Sequence, residues 1–395
     1  MSVDIYFVVW GKKYLDLFLE IVLPSYFSSE NIPRLKEKKY NPAIFIQTDQ
    51  KSAKYLKEHP YFQKFASTIE IQIYTPTILL SDDLNKYQTA ALYFSEVFKS
   101  SFQRKNIAIM ASPDALISDG ALHYSVNCLN QNIKIVTCPS LFRSTKETIV
   151  PKLNQTYFCP KSYSLSITPY ELNGLLKSHM HSYSKMQFFL QNKTNLWHST
   201  QFTNVENLGF LGKSFHFHPY VIDFREISLP SHLIEVLSKL PLDGGVLEKL
   251  GFLPKHTYVI QQTKNFCALE ISPQDFPFES FHFSKFVLLR RVWSFMVWQY
   301  RYIALEHIKN YMNYTFFFPY EKAISSRRTY QKARFYLFLW TFPSRLVFIS
   351  RILHPKFVIK KMLYLFQRYT KIDVISWIKR KKNQFKIQQK NKASN

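Results

Sequence analysis

The feature that most constrains this chain is the alternation of short apolar runs with longer amphipathic stretches over residues 1–140. Short runs rich in Ile, Val and Tyr predict strands covered on both faces. Strands that alternate with helices are typical of a mostly parallel sheet wrapped by helices, so we expect a Rossmann-like α/β fold. The predicted strands are 4–10, 43–48, 69–74, 107–111 and 133–138, and the predicted helices are 14–27, 51–65, 84–102 and 120–130.

Residues 141–280 are expected to form a mixed α+β extension of this sheet. Within it, Thr168 and Glu171 have the spacing of a capping box and predict the start of a helix. The stretch 210–224 predicts a strand that stops at Pro219. The stretch 257–272 predicts two strands joined at 263–265.

The positive charge of the chain is concentrated near its C-terminus. The net charge is +25, and residues 281–395 hold 24 Lys and Arg against 3 Asp and Glu. This range predicts basic, aromatic helices, with the last dozen residues disordered. The chain is thus expected to divide into ranges 1–140, 141–280 and 281–395.

The basic helices have three possible roles. Interleaved basic and aromatic residues can bind single-stranded nucleic acid, or they can lie on an anionic membrane surface. They can also pack on the body with their basic faces outward. The apolar stretches 292–298 and 335–342 favour the membrane surface over nucleic acid, and no uncharged apolar run is long enough to span a bilayer.

Several classes of protein are disfavoured by what the sequence lacks. Four widely spaced cysteines without a CxxC pair suggest neither a zinc knuckle nor a disulfide framework, and a reducing, cytoplasmic compartment fits best. The N-terminus predicts neither a secretory signal nor a membrane span. With eight glycines and no Walker A, GxGxxG, GxSxG or HExxH motif, a kinase or a dinucleotide-dependent dehydrogenase is not expected.

An acidic turn, SPDALISDG, follows the predicted strand 107–111. Ligands of open α/β sheets bind outside the carboxyl ends of the strands, which is where Asp114 would lie. Asp114 can bind a divalent cation, Mn²⁺ or Mg²⁺, that offsets a diphosphate, or it can accept a hydrogen bond from a sugar or ribose hydroxyl. Alternatively, Pro113 and Gly120 only form a turn, and Asp119 caps the next helix.

Residues 4–138 resemble, in their layout, the bacterial nucleotide-sugar glycosyltransferases of the GT-A fold. In that family a helix with polar first-turn residues precedes a strand carrying an Asp-x-Asp motif, which holds the metal on the donor diphosphate. Here the helix is LNKYQTAALYFSEVF, and Ser112 replaces the first aspartate, so only Asp114 carries over. The resemblance implies transfer of a sugar from a nucleotide-sugar donor to a surface glycan or lipid-linked acceptor, with acceptor contacts in 141–280. The basic helices would then rest on the inner face of the plasma membrane.

The resemblance also implies donor-binding residues at other strand ends. Trp10 and Gly11 end the first strand, where an aromatic ring can stack on a base. Asp49 follows the second strand and can accept from a base or ribose, or it can cap the next helix. Lys86 and Tyr87 begin the helix before the acidic strand, where the lysine can reach a phosphate or remain solvated.

Two further candidates lie in the predicted extension. His216 and His218 are two apart, so on a strand both imidazoles share one face and can bind a metal, a donor phosphate or the acceptor; aromatic-flanked histidines can equally pack in a core. Asp243, in LDGG, can act as the base that deprotonates an acceptor hydroxyl, or can simply form a turn. A non-catalytic nucleotide or glycan binding module on the same fold is the main alternative, and a single-stranded nucleic-acid binder the next.

Overall fold

The computed structural model describes residues 1–75, 86–139, 142–188, 200–205, 209–214, 217–227, 254–275, 314–320 and 331. The chain divides into two compact units, Met1–Phe338 and Leu339–Asn395, and the second lies outside the described residues. The architecture is mixed α/β with a largely parallel central sheet, which is compatible with the predicted Rossmann-like fold.

Strands and helices are interspersed along the described residues, which begin with a strand. The strands are β1 Ser2–Val8, β2 Asn41–Gln47, β3 Ile71–Tyr74, β4 Ile107–Ala111, β5 Ala115–Ile117, β6 Ile135–Pro139, β7 Phe142–Thr145, β8 Phe158–Cys159, β9 Ser164–Leu165, β10 Thr200–Asn204, β11 Gly209–Ser214, β12 Phe217–Asp223, β13 Thr257–Val259, β14 Ala268–Ser272 and β15 Phe316–Pro319. The helices are α1 Lys12–Leu17, α2 Leu23–Tyr26, α3 Ile32–Glu37, α4 Gln50–Glu58, α5 Pro60–Ala66, α6 Lys86–Arg104, α7 Ala121–Asn127, α8 Lys146–Thr156, α9 Pro169–Ser178 and α10 Ser182–Met186, with a π-helical turn Phe18–Val22 and a 3₁₀ turn Pro254–His256.

The central sheet has seven strands in the order β13-β6-β12-β4-β1-β2-β3. All neighbours pair in parallel except β12, which runs antiparallel between β4 and β6. The prediction that 107–111 forms a central strand is confirmed, because β4 occupies the middle of the sheet. Two strands from the predicted 141–280 range, β12 and β13, complete this sheet. The proposed domain boundaries remain a prediction.

Both faces of the sheet are covered, as the apolar strands predict. Val3, Ile5 and Phe7 of β1 point to one face and join a core built with α1, the π-helical turn and α2. Tyr6 points to the other face and packs in a second cluster with Phe98 of α6. Because side chains alternate along a strand, β1 anchors helices on both sides and fixes the position of its own carboxyl end.

One expectation about the extension is wrong. Pro219 does not end a strand; it lies inside β12, at a shift in register between Pro219 and Val221. A proline has no amide hydrogen to donate, and a β-bulge is one of the few places where a strand can accommodate it. The predicted capping box is confirmed, because Thr168 and Glu171 cap α9 reciprocally.

The described residues also form three smaller sheets, of which the smallest pairs only β8 with β9. Strands β5, β14 and β7 form the second, and β10, β11 and β15 form the third. Phe316–Pro319 falls within the range predicted to be helical, yet forms β15 and pairs with β11. Gly209 begins β11 with φ of 142°, and a Cβ there would overlap the carbonyl oxygen of Phe318. Apart from 314–320 and Gln331, the range 281–395 that is predicted to form basic helices lies outside the described residues.

Candidate functional site

The chain reverses its direction across the sheet between β1 and β4. From β1 the strands β2 and β3 extend to one side, whereas β4 lies on the other side of β1. Such a switch point leaves a crevice outside the carboxyl ends of the two strands, and open α/β sheets bind ligands there. Phe7 of β1 is level with Ala111 of β4, so the two carboxyl ends are aligned.

Three of the predicted residues follow the carboxyl ends of adjacent strands. Trp10 comes two residues after β1, Asp49 two after β2, and Asp114 three after β4. Val8 is also level with Gln47, which aligns the end of β2 with the other two. Neighbouring strands are about 4.8 Å apart, so the fold brings these residues to one edge of the sheet. We call this edge, with Trp10, Gly11, Asp49 and Asp114, the carboxyl edge.

The aromatic side of the carboxyl edge is built on α6. The ring of Trp10 lies 5.7 Å from that of Tyr93, with an interplanar angle of 35°. Burial and the nearby carboxylate of Asp49 raise the pKa of Tyr93. Trp10 is only half-buried, so one part of its ring is supported by Tyr93 and another part remains accessible.

Backbone geometry at Gly11 turns the chain from β1 into α1. Gly11 has φ of 81°, which glycine adopts without steric cost. Its amide donates to Oγ of Ser52 at 3.2 Å. Ser52 in turn donates from its amide and its hydroxyl to Asp49, at 2.8 and 2.9 Å. Asp49 is therefore the N-cap of α4, as one of its two interpretations predicted, and a ligand contact there stays a prediction.

A charged cluster extends the edge along α1. Lys12 donates to Asp16 at 2.9 Å, and the hydroxyl of Tyr55 donates to the same carboxylate at 2.5 Å. Partial burial opposes ionisation, but these hydrogen bonds and the ammonium groups of Lys12 and Lys146 lower the pKa of Asp16. Helix α1 therefore carries a carboxylate, Asp16, that interacts with the ammonium groups of Lys12 and Lys146.

Asp114 stands at the other side of the crevice. Its Oδ1 accepts a hydrogen bond from Ser112 at 2.5 Å, and its carbonyl oxygen accepts from the amide of Ile271 in β14 at 2.8 Å. The side chain is half-buried, and no described residue donates to Oδ2. The backbone of Asp114 is thus fixed by β14, while one carboxylate oxygen remains available.

Arg143 interacts electrostatically with Asp114 and pairs with Glu270, and neither residue could be picked out from the sequence. Pairing in the small sheet places Ala115, Glu270 and Arg143 side by side. The guanidinium of Arg143 lies 2.7 Å from Glu270, with side chains 21% and 18% exposed, and 4.9 Å from the ring centre of Tyr183. Burial opposes the charge of Arg143, but Glu270 and Asp114 outweigh it and raise its pKa. Strand pairing between distant segments was needed to reveal this group.

The expectation that Asp119 caps the helix after it is wrong. Gly120, in the left-handed conformation, is the N-cap of α7 and has no side-chain cap. Asp119 instead accepts from the amide of Glu30 at 3.1 Å and from the hydroxyl of Ser166 at 2.8 Å. Asp119 therefore links two loops by hydrogen bonds and does not cap α7.

The remaining candidates are described in part. Lys86 and Tyr87 begin α6 as predicted, and their side chains lie outside the described atoms. The backbone of His218 pairs with Cys138 of β6, which places it near the carboxyl ends of β4 and β6. His216 and Asp243 lie outside the described residues.

Neither a metal-binding cluster nor a membrane-spanning helix occurs in the described ranges. They contain no group of three or more His, Cys, Asp and Glu side chains arranged to hold a metal ion. Asp114 thus contributes a single carboxylate, which suits hydrogen bonding to hydroxyls or a cation that a ligand's phosphates also bind. No helix in these ranges is long and apolar enough to cross a membrane.

Comparisons with known proteins give distant similarities. No family model and no curated protein sequence matches this chain. It is similar to the solved structure of a Bacillus anthracis protein described as a glucose-1-phosphate thymidylyltransferase, at 12% identity and a TM-score of 0.22, covering 36% of this chain and 55% of that one. It is also similar to mouse xyloside xylosyltransferase 1, at 9% identity and a TM-score of 0.31, covering 66% of this chain and 88% of that one. Both proteins are named as transferases, and TM-scores this low do not identify the function of this chain.

Proposed function

We propose that this chain is a glycosyltransferase of GT-A-like fold that moves a sugar from a nucleotide-sugar donor to a glycan or lipid-linked acceptor. The observation that carries the proposal is the switch point between β1 and β4, because open α/β sheets bind ligands in the crevice outside the carboxyl ends of such strands. Trp10 borders that crevice on one side and Asp114 on the other. An aromatic ring can stack on the base of a nucleoside. A carboxylate can accept a hydrogen bond from a sugar or ribose hydroxyl.

In this proposal each side of the crevice has its own task. Trp10, supported by Tyr93, stacks on the base, and Asp49 is the candidate for the base or ribose while it caps α4. Asp114 accepts from a donor hydroxyl or shares a cation with the diphosphate. Lys86 and Tyr87 at the start of α6, and His218 beside β6, are the candidates for the phosphates, and Asp243 is a candidate base for the acceptor.

The divalent cation stays a separate element of the proposal. Magnesium is commonly held by one or two carboxylates together with substrate phosphates, so Asp114 alone fits such a shared site. The pair Arg143–Glu270 beside it adds one positive and one negative charge. With Asp114 the three side chains sum to one negative charge, which favours hydroxyls or a cation over direct contact with an anion.

The basic C-terminal range completes the proposal. A near-neutral body and an excess of Lys and Arg in 281–395 suit a transferase held on an anionic membrane surface, on the cytoplasmic side. Deletion of residues after about 338, where the second compact unit begins, should then release the protein from anionic vesicles. If the truncated chain stays bound, or the intact chain prefers single-stranded DNA, this part of the proposal fails.

The enzymatic test compares two aspartates that lie on either side of β5. Asp114→Asn removes the charge at the crevice and should reduce sugar transfer by about 100-fold or more. Asp119→Asn is the matched control, because Asp119 serves loop contacts with Glu30 and Ser166 and should keep its transfer activity. Transfer from radiolabelled nucleotide sugars to membrane extracts measures both. Equal activity of Asp114→Asn and the wild type would contradict the proposal.

A further inference from the structure

A pocket of about 560 Å³ opens beside the carboxyl edge, and none of the candidate residues of the sequence lines it. It lies between the start of α1, the start of α8 and the turn after β14. Its volume falls in the range of small-ligand sites. The residues that line it are Lys13, Lys146, Glu147, Val150, Pro151, Pro273, Gln274 and Asp275.

The pocket is lined by residues that are close along the chain to both sides of the crevice. Lys13 lies two residues after Gly11, at the Trp10 side. Pro273 lies two residues after Ile271, whose amide holds the carbonyl oxygen of Asp114. A molecule in the pocket would therefore be close to a donor bound at the switch point.

The lining combines three kinds of chemistry. Lys13 and Lys146 form no salt bridge within 4 Å with any described carboxylate, although Lys146 acts electrostatically on Asp16, so both ammonium groups can bind an anion. Glu147 accepts from the amide of Gln274 at 3.0 Å, which fixes its carboxylate at the wall, and Asp275 adds a second, exposed carboxylate.

Apolar walls are the third component. Val150, Pro151 and Pro273 present hydrocarbon surface, on which the C–H face of a sugar ring can pack. Ammonium groups bind phosphate, and carboxylates accept hydrogen bonds from hydroxyls. One class of molecule uses all three: a sugar that carries a phosphate.

We propose that this pocket is the acceptor subsite and binds a sugar phosphate, with the phosphate on Lys13 and Lys146 and the hydroxyls on Glu147 and Asp275. The role of the pocket as an acceptor subsite rests on the proposed function. The binding of a sugar phosphate there does not depend on that function. A free sugar phosphate and a lipid-linked sugar share this chemistry.

Calorimetry with glucose 1-phosphate tests the pocket directly. The double variant Lys13→Ala/Lys146→Ala should bind glucose 1-phosphate at least tenfold more weakly than the wild type, while its affinity for nucleoside diphosphates stays unchanged. The control Lys54→Ala/Lys57→Ala removes the same charge from the exposed face of α4 and should bind like the wild type. Unchanged affinity in the first variant would overturn the proposal.

Two further ligands decide what the pocket recognises. Glucose and inorganic phosphate should each bind more weakly than glucose 1-phosphate; equal binding of inorganic phosphate would reduce the pocket to an anion site and overturn the proposal. Tighter binding of a polyprenyl-phosphate-linked sugar in micelles than of glucose 1-phosphate would identify a lipid-linked sugar as the ligand. Equal binding of the two would identify the free sugar phosphate.

The pocket and the proposed function can fail independently. A parallel loss of nucleoside diphosphate affinity in Lys13→Ala/Lys146→Ala would assign the pocket to the donor and overturn the acceptor subsite. If the protein binds glucose 1-phosphate through Lys13 and Lys146 but binds no nucleotide, the sugar-phosphate pocket stands and the proposed glycosyltransferase function fails.

Discussion

The two edges of the central sheet use charged residues in opposite ways. We call the side of the sheet where the parallel strands begin the amino edge. There, Asp4 is fully buried and accepts from Arg104 at 2.6 Å and from Asn106. Asp223, also fully buried, pairs with Arg225 at 2.7 Å and with Lys134 at 3.9 Å. At the carboxyl edge the aspartates are half-buried. A buried, paired carboxylate stabilises the fold, whereas a half-buried one at a switch point can meet a ligand.

The largest effect on stability is expected at the amino edge. Asp4→Ala leaves Arg104 and the buried amide of Asn106 without their shared acceptor. Arg104 is 39% exposed and its charge stays hydrated, so the loss comes mainly from the buried amide and amounts to about 2–3 kcal/mol of the free energy of unfolding. Urea denaturation monitored by circular dichroism measures the loss. A loss below about 1 kcal/mol would mean that the amino edge is not the structural one.

A smaller and pH-dependent effect is expected for Asp223→Asn. Burial opposes its ionisation, but the hydrogen bonds from Arg225 and the charge of Lys134 lower the pKa of Asp223. Its stabilisation is therefore fully present above the ordinary aspartate pKa of about 3.9 and is lost as the pH falls through the lower folded value. The variant should be less stable by about 1.5 kcal/mol at pH 7.

The acid range provides the internal control for Asp223. Free energies of unfolding at pH 7, 5 and 3 should show the gap between wild type and Asp223→Asn shrinking only below about pH 4. A gap that is constant across these pH values would show that the side chain acts through packing and not through its charge.

The smallest effect on stability is expected at the carboxyl edge. Asp114→Asn keeps an oxygen that can accept from Ser112, and the bond from Ile271 goes to the backbone. The free energy of unfolding should change by less than about 0.5 kcal/mol. Thermal melts of the variant beside Asp4→Ala sharpen the contrast, because a large loss at Asp114 would support a purely structural turn.

Much of the central sheet could be predicted from local sequence. The apolar runs fixed the positions of β1, β2, β3, β4 and β6 to within a few residues, because strands covered on both faces need continuous apolar side chains. The insertion of β12 between β4 and β6 could not be predicted. Strand pairing depends on partners distant in sequence, and Pro219 argued locally for a strand end.

The candidate site divides in the same way. Trp10, Asp49 and Asp114 could be chosen because each directly follows an apolar run, and strand ends of a parallel sheet share an edge. Arg143 and Glu270 could not, because the pairing of β14 with β5 and β7 brings them there. The pocket lysines could not either, because Lys13 of α1 and Lys146 of α8 come together only in the tertiary structure. Local sequence indicates where an edge lies, and tertiary structure supplies what surrounds it.

The most direct test of the carboxyl edge is a thermal-shift screen of the intact chain against nucleoside diphosphates and nucleotide sugars, with Mg²⁺, Mn²⁺ or a chelator. A ligand that binds only the folded state raises the melting temperature by mass action. The account predicts a rise with one nucleotide class that Asp114→Asn reduces and Asp119→Asn preserves; loss of the rise with chelator would add the cation. No rise with any nucleotide, or an equal rise in Asp114→Asn, would contradict it.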